Sequence, residues 1–226
     1  MIIKVNNLDK FYKSKQVLKN INFEISTPSI MGLVGPNGAG KTTLMNCITN
    51  LINYQNGDIE ILGKSNKDAE IFKEISFMQD NRVLYPYLTG YDHLKYICDI
   101  QNIDYKEIKN ISEKIGINSY LNMKTKEYSL GMKQHLLIAM AIINKPKLII
   151  MDEPLNGLDP DSIIATRELI KELHNDGTTI LISSHSLSEL GFITSDIIFI
   201  KNGEIVIEND HTNMDSIEDR YKKIYG

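Results

Sequence analysis

The sequence predicts an α/β fold with a parallel-sheet core, an N-terminal antiparallel β subdomain and an inserted α-helical subdomain. Short apolar runs typical of strands alternate with helical patterns over most of the chain, as in parallel α/β sheets. The first thirty residues contain successive strand patterns, whereas residues 83–147 contain helical patterns and no clear strand. We therefore expect one domain over residues 1–226, with residues 1–82 and 148–226 as its core and residues 83–147 as the helical subdomain.

Composition limits the classes of function. With 42% hydrophobic residues the chain can bury a sizeable core, and its net charge of −4 gives no basic footprint for nucleic acid. Cys47 and Cys98 are too few for a disulfide scaffold or a zinc cluster, which favours a reducing cytosol. No apolar stretch approaches the roughly 18 residues that cross a bilayer, and the N-terminus lacks a signal-peptide pattern. We expect a soluble protein that reaches a membrane only through a partner.

The first half of the chain moves from strands to a glycine-rich loop and a helix. Residues 21–25 alternate apolar and polar side chains, as a half-buried strand does. The apolar strand of residues 30–34 runs directly into the glycine-rich loop. A helical pattern extends from Thr42 to about Ile52, and Asn56-Gly57 then marks a turn before further strand residues.

The second half repeats the alternation of strand and helix. Residues 148–151 form a continuous apolar run, typical of a parallel strand covered on both faces. Asp159-Pro160 has the pattern of a helix N-terminus, and Gly177 would end that helix. After a strand over residues 178–183, Ser186 and Glu189 have the spacing of a capping box. A hairpin around an Asn-Gly turn is then predicted from Asp196 to Glu208.

The glycine-rich loop, residues 35–42, reads Gly-Pro-Asn-Gly-Ala-Gly-Lys-Thr and fits the P-loop pattern G-x-x-x-x-G-K-[ST]. Glycines let backbone N–H groups turn inward around phosphate oxygens, and the following helix N-terminus adds its positive dipole end. Lys41 would reach the β- and γ-phosphates of a nucleotide, and the Thr42 hydroxyl would bind Mg²⁺. The alternative is a glycine-rich turn that merely starts a helix, but its place between strand and helix favours nucleotide binding.

An acidic pair, Asp152 and Glu153, ends the apolar run that begins at Leu148. A carboxylate at the end of a strand beside the P-loop strand points at the Mg²⁺ shell, which is the role expected of Asp152. Glu153 could then polarise the attacking water as a general base. A solvated acidic pair at a strand end is the alternative interpretation.

Further segments occur in a fixed order around these two elements. Residues 128–134, Tyr-Ser-Leu-Gly-Met-Lys-Gln, open a helical stretch, and their serine would by itself be read as an ordinary N-cap. Together with Gln79, residues 155–159, His185 and Tyr12, they make the sequence resemble the ATP-binding subunits of ABC transporters over nearly its whole length. The resemblance implies the ABC ATPase form of the P-loop NTPase fold, with ATP and Mg²⁺ as ligands.

The resemblance also assigns roles by position. It implies catalytic roles for Glu153, His185 and Gln79. It implies Mg²⁺ contacts for Thr42, Gln79 and Asp152. It implies that nucleotide is bound by Tyr12, Gly35, Asn37, Gly38, Gly40, Lys41, Thr42, Thr43, Ser129, Gly131 and Asp159. Tyr12 would stack on adenine, although the adjacent Phe11 leaves open that either ring is core.

The signature segment departs from its usual Leu-Ser-Gly-Gly-Gln form. Tyr128, Leu130 and Met132 replace leucine, glycine and glutamine, and His135 replaces a common arginine. Ser129 and Gly131, which would contact phosphate, are retained. This form resembles cassettes of exporters that protect bacteria against bacitracin or lantibiotic peptides, so export of a peptide antibiotic, drug or lipid-like substrate is expected.

The resemblance further implies an assembly. Two cassettes, identical or different, would close head to tail on ATP and drive separate transmembrane permease subunits, with the chain cytoplasmic and peripheral on the inner face of the membrane. Residues 85–88, Tyr-Pro-Tyr-Leu, would dock the permease or instead be partly buried core. A soluble ABC ATPase acting on ribosomes or DNA remains an alternative. A GTPase or kinase is a weaker one, because Asn144-Lys145-Pro146-Lys147 only begins like a guanine-binding element.

Overall fold

The computed structural model describes residues 1–206 and 216–226. The strands in these ranges are β1 Ile3–Tyr12, β2 Lys15–Ile25, β3 Ile30–Val34, β4 Asn56–Ile61, β5 Lys64–Ser65, β6 Ile75–Met78, β7 Leu148–Asp152, β8 Thr179–Ser183, β9 Ile197–Lys201 and β10 Glu204–Val206. The helices are α1 Lys41–Ile48, α2 Gly90–Gln101, α3 Lys106–Ile115, α4 Leu130–Ile142, α5 Pro160–Asn175, α6 Leu187–Gly191 and α7 Ile217–Tyr225.

The described strands form two sheets. The larger has the order β10-β9-β3-β8-β7-β6, in which every neighbouring pair except β10 and β9 is parallel. The smaller is antiparallel, with the order β2-β1-β4-β5. Together with the helices of residues 90–142, these sheets confirm the predicted fold class. Because β3, β6, β7 and β8 run in one direction, the loops after them meet at one edge of the sheet.

The parallel sheet separates two hydrophobic cores. In β7, Ile149 and Met151 face the core that contains the helices of residues 90–142, whereas Leu148 and Ile150 face the core shared with α1 and the antiparallel sheet. Both faces of this strand are therefore buried, as its continuous apolar sequence predicts. This burial fixes the register of β7 and with it the position of Asp152 at the strand end.

Capping and burial stabilise the helices of residues 90–142. Helix α2 begins with a capping box in which Asp92 N–H donates to Thr89 Oγ1 at 3.0 Å and Thr89 N–H donates to the Asp92 carboxylate at 2.9 Å. Helix α4 is buried along most of its length, between α2, α3 and β6. These helices all lie between residues 83 and 147, and the division of the chain at those two positions remains a prediction.

Two local predictions are wrong. The helix after the P-loop ends at Ile48 rather than near Ile52. Ser186 and Glu189 form no capping box, because the Glu189 carboxylate pairs with Arg167 of α5 at 3.3 Å and Ser186 N–H donates to Ser184 Oγ. The predicted hairpin is present from β9 to Val206, while its predicted end at Glu208 lies outside the described residues.

Residues 85–88 lie at the surface. Tyr85 and Tyr87 are 68% and 74% exposed, and Pro86 and Leu88 are also exposed, so the interpretation of this segment as partly buried core is wrong. Within the described ranges, the structure contains no helix with the length and apolar character needed to cross a bilayer.

Candidate active site

The loop of residues 35–40 connects β3 to α1 and is held tightly against its surroundings. A Cβ atom on Gly35 would lie 2.4 Å from the Ile200 carbonyl oxygen, so no other residue fits there. Gly40 is the N-cap of α1 with a φ of 114°, a conformation that favours glycine. Since glycine has no side chain to cap the helix, the first N–H groups of α1 are left for an anion.

Lys41 begins α1 and folds back into this loop. Its ammonium donates to the Gly35 carbonyl at 2.7 Å and lies 3.5 Å from the Pro36 carbonyl, and the residue is 8% exposed. A buried ammonium held by the loop backbone at the N-terminus of a helix is suited to bind negatively charged phosphates. Asn37 is exposed beside it, and Thr43 is half-buried in the first turn of α1.

Polar side chains link the P-loop helix to the ends of β7 and β8. Thr42 Oγ1 donates to Asp152 Oδ2 at 2.7 Å, although the two residues are 110 positions apart. Ser183 Oγ donates to Asp152 Oδ1 at 2.6 Å and accepts from Glu153 N–H at 2.9 Å. Hydroxyl and carboxylate oxygens are ligands that Mg²⁺ prefers, so Thr42 and Asp152 fit that ion. The described residues contain no group of three or more His, Cys, Asp or Glu side chains that could hold a metal ion. The Mg²⁺ expected here would therefore also need hydroxyl, water or phosphate oxygens as ligands.

Glu153 and His185 meet at the same sheet edge. The Glu153 carboxylate lies 2.7 Å from His185 Nδ1 and accepts the His185 backbone N–H at 3.2 Å. Glu153 has a φ of 54°, an uncommon conformation for a residue other than glycine. Its side chain is 26% exposed and that of His185 is 60% exposed, so a bound ligand and water can reach both.

Gln79 and Tyr12, to which the sequence assigns nucleotide or Mg²⁺ contacts, each follow or end a strand. Gln79 follows β6, whose Met78 pairs with Met151 of β7, so the glutamine stands at the same sheet edge as Asp152. Tyr12 ends β1 and is 46% exposed, whereas Phe11 is more buried. The Lys10 ammonium lies 4.8 Å from the Tyr12 ring centroid, which steadies that ring by a cation–π contact.

The signature segment is placed against residues 155–159 rather than against the P-loop. Ser129 is the N-cap of α4 and accepts the Met132 N–H at 3.2 Å. Leu130 packs on Gly157, where an added Cβ would lie only 2.2 Å from the leucine Cδ2. Gly131 is open, because an added Cβ would be 3.9 Å from its nearest neighbour. One face of this helix start is therefore free to meet another molecule.

Asp159 has a structural contact in this arrangement. Its carboxylate caps α5, accepting Ser162 N–H at 3.0 Å and Ser162 Oγ–H at 2.9 Å. These hydrogen bonds, the backbone one first, lower the pKa of Asp159 below its ordinary value. Its nucleotide-binding role remains a prediction.

Two further residues support the site without having been assigned a role from sequence. Ser183 bridges Asp152 and Glu153 as described, and its only sequence signal is a hydroxyl at the end of an apolar strand. Gln134 is 6% exposed, and its Nε2 donates to the carbonyls of Pro154 at 2.7 Å and Glu153 at 3.2 Å. Gln134 thus connects α4 to the segment that carries the acidic pair. No local sequence pattern predicts this contact.

Comparison with known proteins identifies the family. A family model described as ABC transporter matches residues 18–156, which include the P-loop, the signature segment and the acidic pair. The chain belongs to the ABC transporter family. As such it is an ATP-binding subunit and an ATPase.

Individual members of this family align with almost the whole chain. The lantibiotic transport ATP-binding protein SrtF of Streptococcus pyogenes is 36% identical over 97% of this chain and 96% of its own. The bacitracin transport ATP-binding protein BcrA of Enterococcus faecalis is 34% identical over 98% of this chain and 72% of its own. The dimeric ATP-binding cassette MJ0796, in a post-hydrolysis state bound to ADP and Pi, superposes with a TM-score of 0.85 at 27% identity, over 94% of this chain and all of its own. The resemblance to the lantibiotic and bacitracin type is thus confirmed.

Proposed function

We propose that this chain is the motor subunit of an ABC exporter, working as a dimer of cassettes on the inner face of the membrane. The observation that carries the proposal is the hydrogen-bonded series from Thr42 through Asp152 and Ser183 to Glu153 and His185. This series joins a phosphate-binding loop to a general base in one rigid edge of the sheet, as ATP hydrolysis requires.

In the proposed reaction, the backbone N–H groups of the P-loop and Lys41 bind the β- and γ-phosphates. Thr42, Asp152 and Gln79 would hold Mg²⁺, which neutralises charge on those phosphates. Glu153 orients a water and accepts its proton as the water oxygen bonds to the γ-phosphorus and the bond to the β,γ-bridging oxygen breaks. His185 holds the Glu153 carboxylate in place, and Tyr12 stacks on adenine.

A second cassette is needed to complete each site. The signature segment contacts Gly157 of its own chain and leaves Gly131 open, so Ser129 and the N-terminus of α4 would face the γ-phosphate on a partner cassette. The dimeric state of the related cassette MJ0796 supports this arrangement. Closure on ATP and reopening after hydrolysis would supply the movement that drives transport.

The membrane partner would dock on the helical insert. Tyr85, Tyr87 and Leu88 are exposed. Tyr85 and Leu88 line a groove that also contains Met140 and Tyr96, and Tyr96 is 65% exposed. An aromatic and apolar surface of this kind is typical of protein interfaces. Similarity to SrtF and BcrA over nearly the whole chain supports a permease that exports a peptide antibiotic or a related amphiphilic compound.

The test is a tagged Glu153→Gln variant, purified with Mg²⁺ and ATP from detergent-solubilised membranes of the source cell. The substitution removes the proton acceptor but keeps the shape of the side chain, so hydrolysis should fall by about 100-fold or more and ATP-closed dimers should accumulate. We expect a polytopic membrane protein to co-purify. Glu168→Gln is the matched control, because Glu168 lies on the exposed face of α5 and pairs only with Lys171 among described residues.

A Lys41→Ala variant tests ATP-dependent dimerisation separately from docking of the permease. Without the P-loop ammonium, ATP-dependent dimers should not form, while the permease should still be captured through the helical insert. Capture of ribosomal or nucleoid material alone by the Glu153→Gln variant would contradict the exporter function and favour a soluble ABC ATPase.

A further inference from the structure

The turn between β9 and β10 touches the P-loop directly. Asn202 and Gly203 both have positive φ values, 52° and 82°, as a two-residue hairpin turn requires. Gly203 N–H donates to the carbonyl of Ala39, inside the P-loop, at 3.2 Å. The Gly203 carbonyl accepts Lys19 N–H of β2 at 2.7 Å. This turn therefore bridges the phosphate-binding loop and the antiparallel sheet.

Helix α7 reaches the same place from another direction. The Tyr225 hydroxyl lies 2.8 Å from the carbonyl of Ile200 and 3.3 Å from the carbonyl of Val34, so its one proton is shared between these two acceptors, with Ile200 the nearer. Val34 is the last residue of β3 and immediately precedes Gly35. Burial raises the pKa of Tyr225, so the hydroxyl keeps its proton and remains a donor at neutral pH.

Contacts with Ile200 and β2 leave the loop little room to move. The Ile200 carbonyl that accepts from Tyr225 is the atom that excludes any side chain at Gly35. An added Cβ on Gly40 would lie 2.9 Å from Leu18 Cδ2, and one on Gly203 would lie 2.2 Å from the Val17 carbonyl. The P-loop is thus enclosed by the β9–β10 hairpin, α7 and β2.

We propose that residues 201–204 and α7 form a clamp that holds the P-loop in its phosphate-binding conformation, with Tyr225 as a positioning residue for ATP. The clamp acts on nucleotide affinity and needs only the ATPase activity of the family, not the exporter function. A loop that leaves its binding conformation part of the time binds ligand more weakly in proportion, because the apparent Kd is the intrinsic Kd divided by the competent fraction. The hydroxyl of Tyr225 raises that fraction by holding the end of β3, where the P-loop begins, against Ile200 of β9.

The test is Tyr225→Phe in the full chain, which removes the hydroxyl and keeps the ring. We expect the Kd for ATP, measured by titration calorimetry, to rise about three- to ten-fold, the usual effect of one lost hydrogen bond. The kcat at saturating ATP should stay within two-fold of the wild type. Tyr221→Phe is the matched control, because the ring centroids of Tyr221 and Tyr225 are 4.3 Å apart. In the described part of the chain, the Tyr221 hydroxyl makes no hydrogen bond to the carbonyl of Val34 or Ile200. The Kd of this control variant should be unchanged.

Hydrogen exchange distinguishes the clamp from a general effect on stability. In Tyr225→Phe the amides of residues 35–43 should exchange faster, while those of α5 keep their wild-type rates. An unchanged Kd for ATP, or faster exchange spread evenly over both regions, would overturn the proposal. Gly203→Ala, which forces the turn away from Val17, should raise the Kd for ATP at least as much in the fraction that folds. A wild-type Kd in that fraction would also overturn it.

Discussion

At the scale of single residues, Glu153 combines an uncommon backbone conformation with the position of the proposed general base. A left-handed φ in a residue other than glycine costs on the order of 1–3 kcal/mol and persists only where neighbours hold it. Ser183 accepts the Glu153 N–H, and His185 contacts its carboxylate. These contacts offset the strain and fix the carboxylate at the end of β7, which is the preorganisation that a general base needs.

Gly131 offers the sharpest residue-level test of the head-to-tail dimer. A Cβ here meets only ordinary van der Waals distances in the free chain, and alanine favours a helix over glycine by about 1 kcal/mol. Gly131→Ala should therefore unfold at or slightly above the wild-type temperature and bind ATP normally at its own P-loop. Because the methyl group would stand between the signature segment and the partner's γ-phosphate, steady-state ATPase should fall at least ten-fold.

The control for this prediction is Gly191→Ala in α6. An added Cβ at Gly191 would likewise meet only an ordinary van der Waals contact, 3.7 Å from Ile217 Cδ1, and Gly191 lies outside the signature segment. Its ATPase activity should match the wild type. Undiminished hydrolysis by Gly131→Ala would mean that this glycine does not approach nucleotide on a second cassette.

At the scale of elements, α4 serves two regions of the chain. Its N-terminus carries the signature segment, and Gln134 one turn later binds the backbone that follows Glu153. Leu130 and Gly157 make a second contact between the same two segments. A rotation of the helical insert would therefore move the chain after the general base as well as the signature segment.

Gln134→Met tests this link. The variant keeps a long side chain but removes both donors, leaving the carbonyls of Glu153 and Pro154 without this partner. We expect urea unfolding to show a loss of roughly 1–3 kcal/mol, the cost of unsatisfied buried groups, and kcat to fall more than the affinity for ATP. Gln101→Met is the control, since Gln101 donates one hydrogen bond to the Phe72 carbonyl in an exposed setting. A kcat equal to that of this control would contradict a link between α4 and the general base.

How far sequence predicts structure differs between elements for physical reasons. The N-terminus of α5 follows from Asp159 and Pro160 alone, since capping is decided within four residues. The sequence predicts Asp152 at the Mg²⁺ shell, at the end of a strand beside the P-loop strand, but β8 lies between β3 and β7. The contact of Thr42 with Asp152 therefore depends on a strand order that no local pattern determines. The capping box expected at Ser186 failed because a distant residue, Arg167, competes for Glu189.

At the scale of the whole molecule, two exposed surfaces have different uses. In the proposed function, the sheet edge that carries the P-loop and Glu153, together with Gly131, serves ATP and the second cassette. The groove on the helical insert, lined by Tyr85, Leu88 and Tyr96, lies on the part of the chain that α4 connects to the first surface. Separation of the two surfaces predicts that changes in the groove uncouple transport from hydrolysis.

Tyr96→Ser tests that separation. The Tyr96 ring lines the groove and is 65% exposed, so its loss should change the unfolding free energy by less than about 0.5 kcal/mol, as at most surface sites. ATPase activity of the isolated subunit should match the wild type, while capture of the permease in detergent falls several-fold, because aromatic anchors contribute most at interfaces. Phe192→Ser removes another aromatic ring, 62% exposed and outside the groove, and should leave capture unchanged. Equal capture by both variants would place the membrane contact elsewhere on the helical insert, since the groove would then contribute nothing that a distant exposed ring does not.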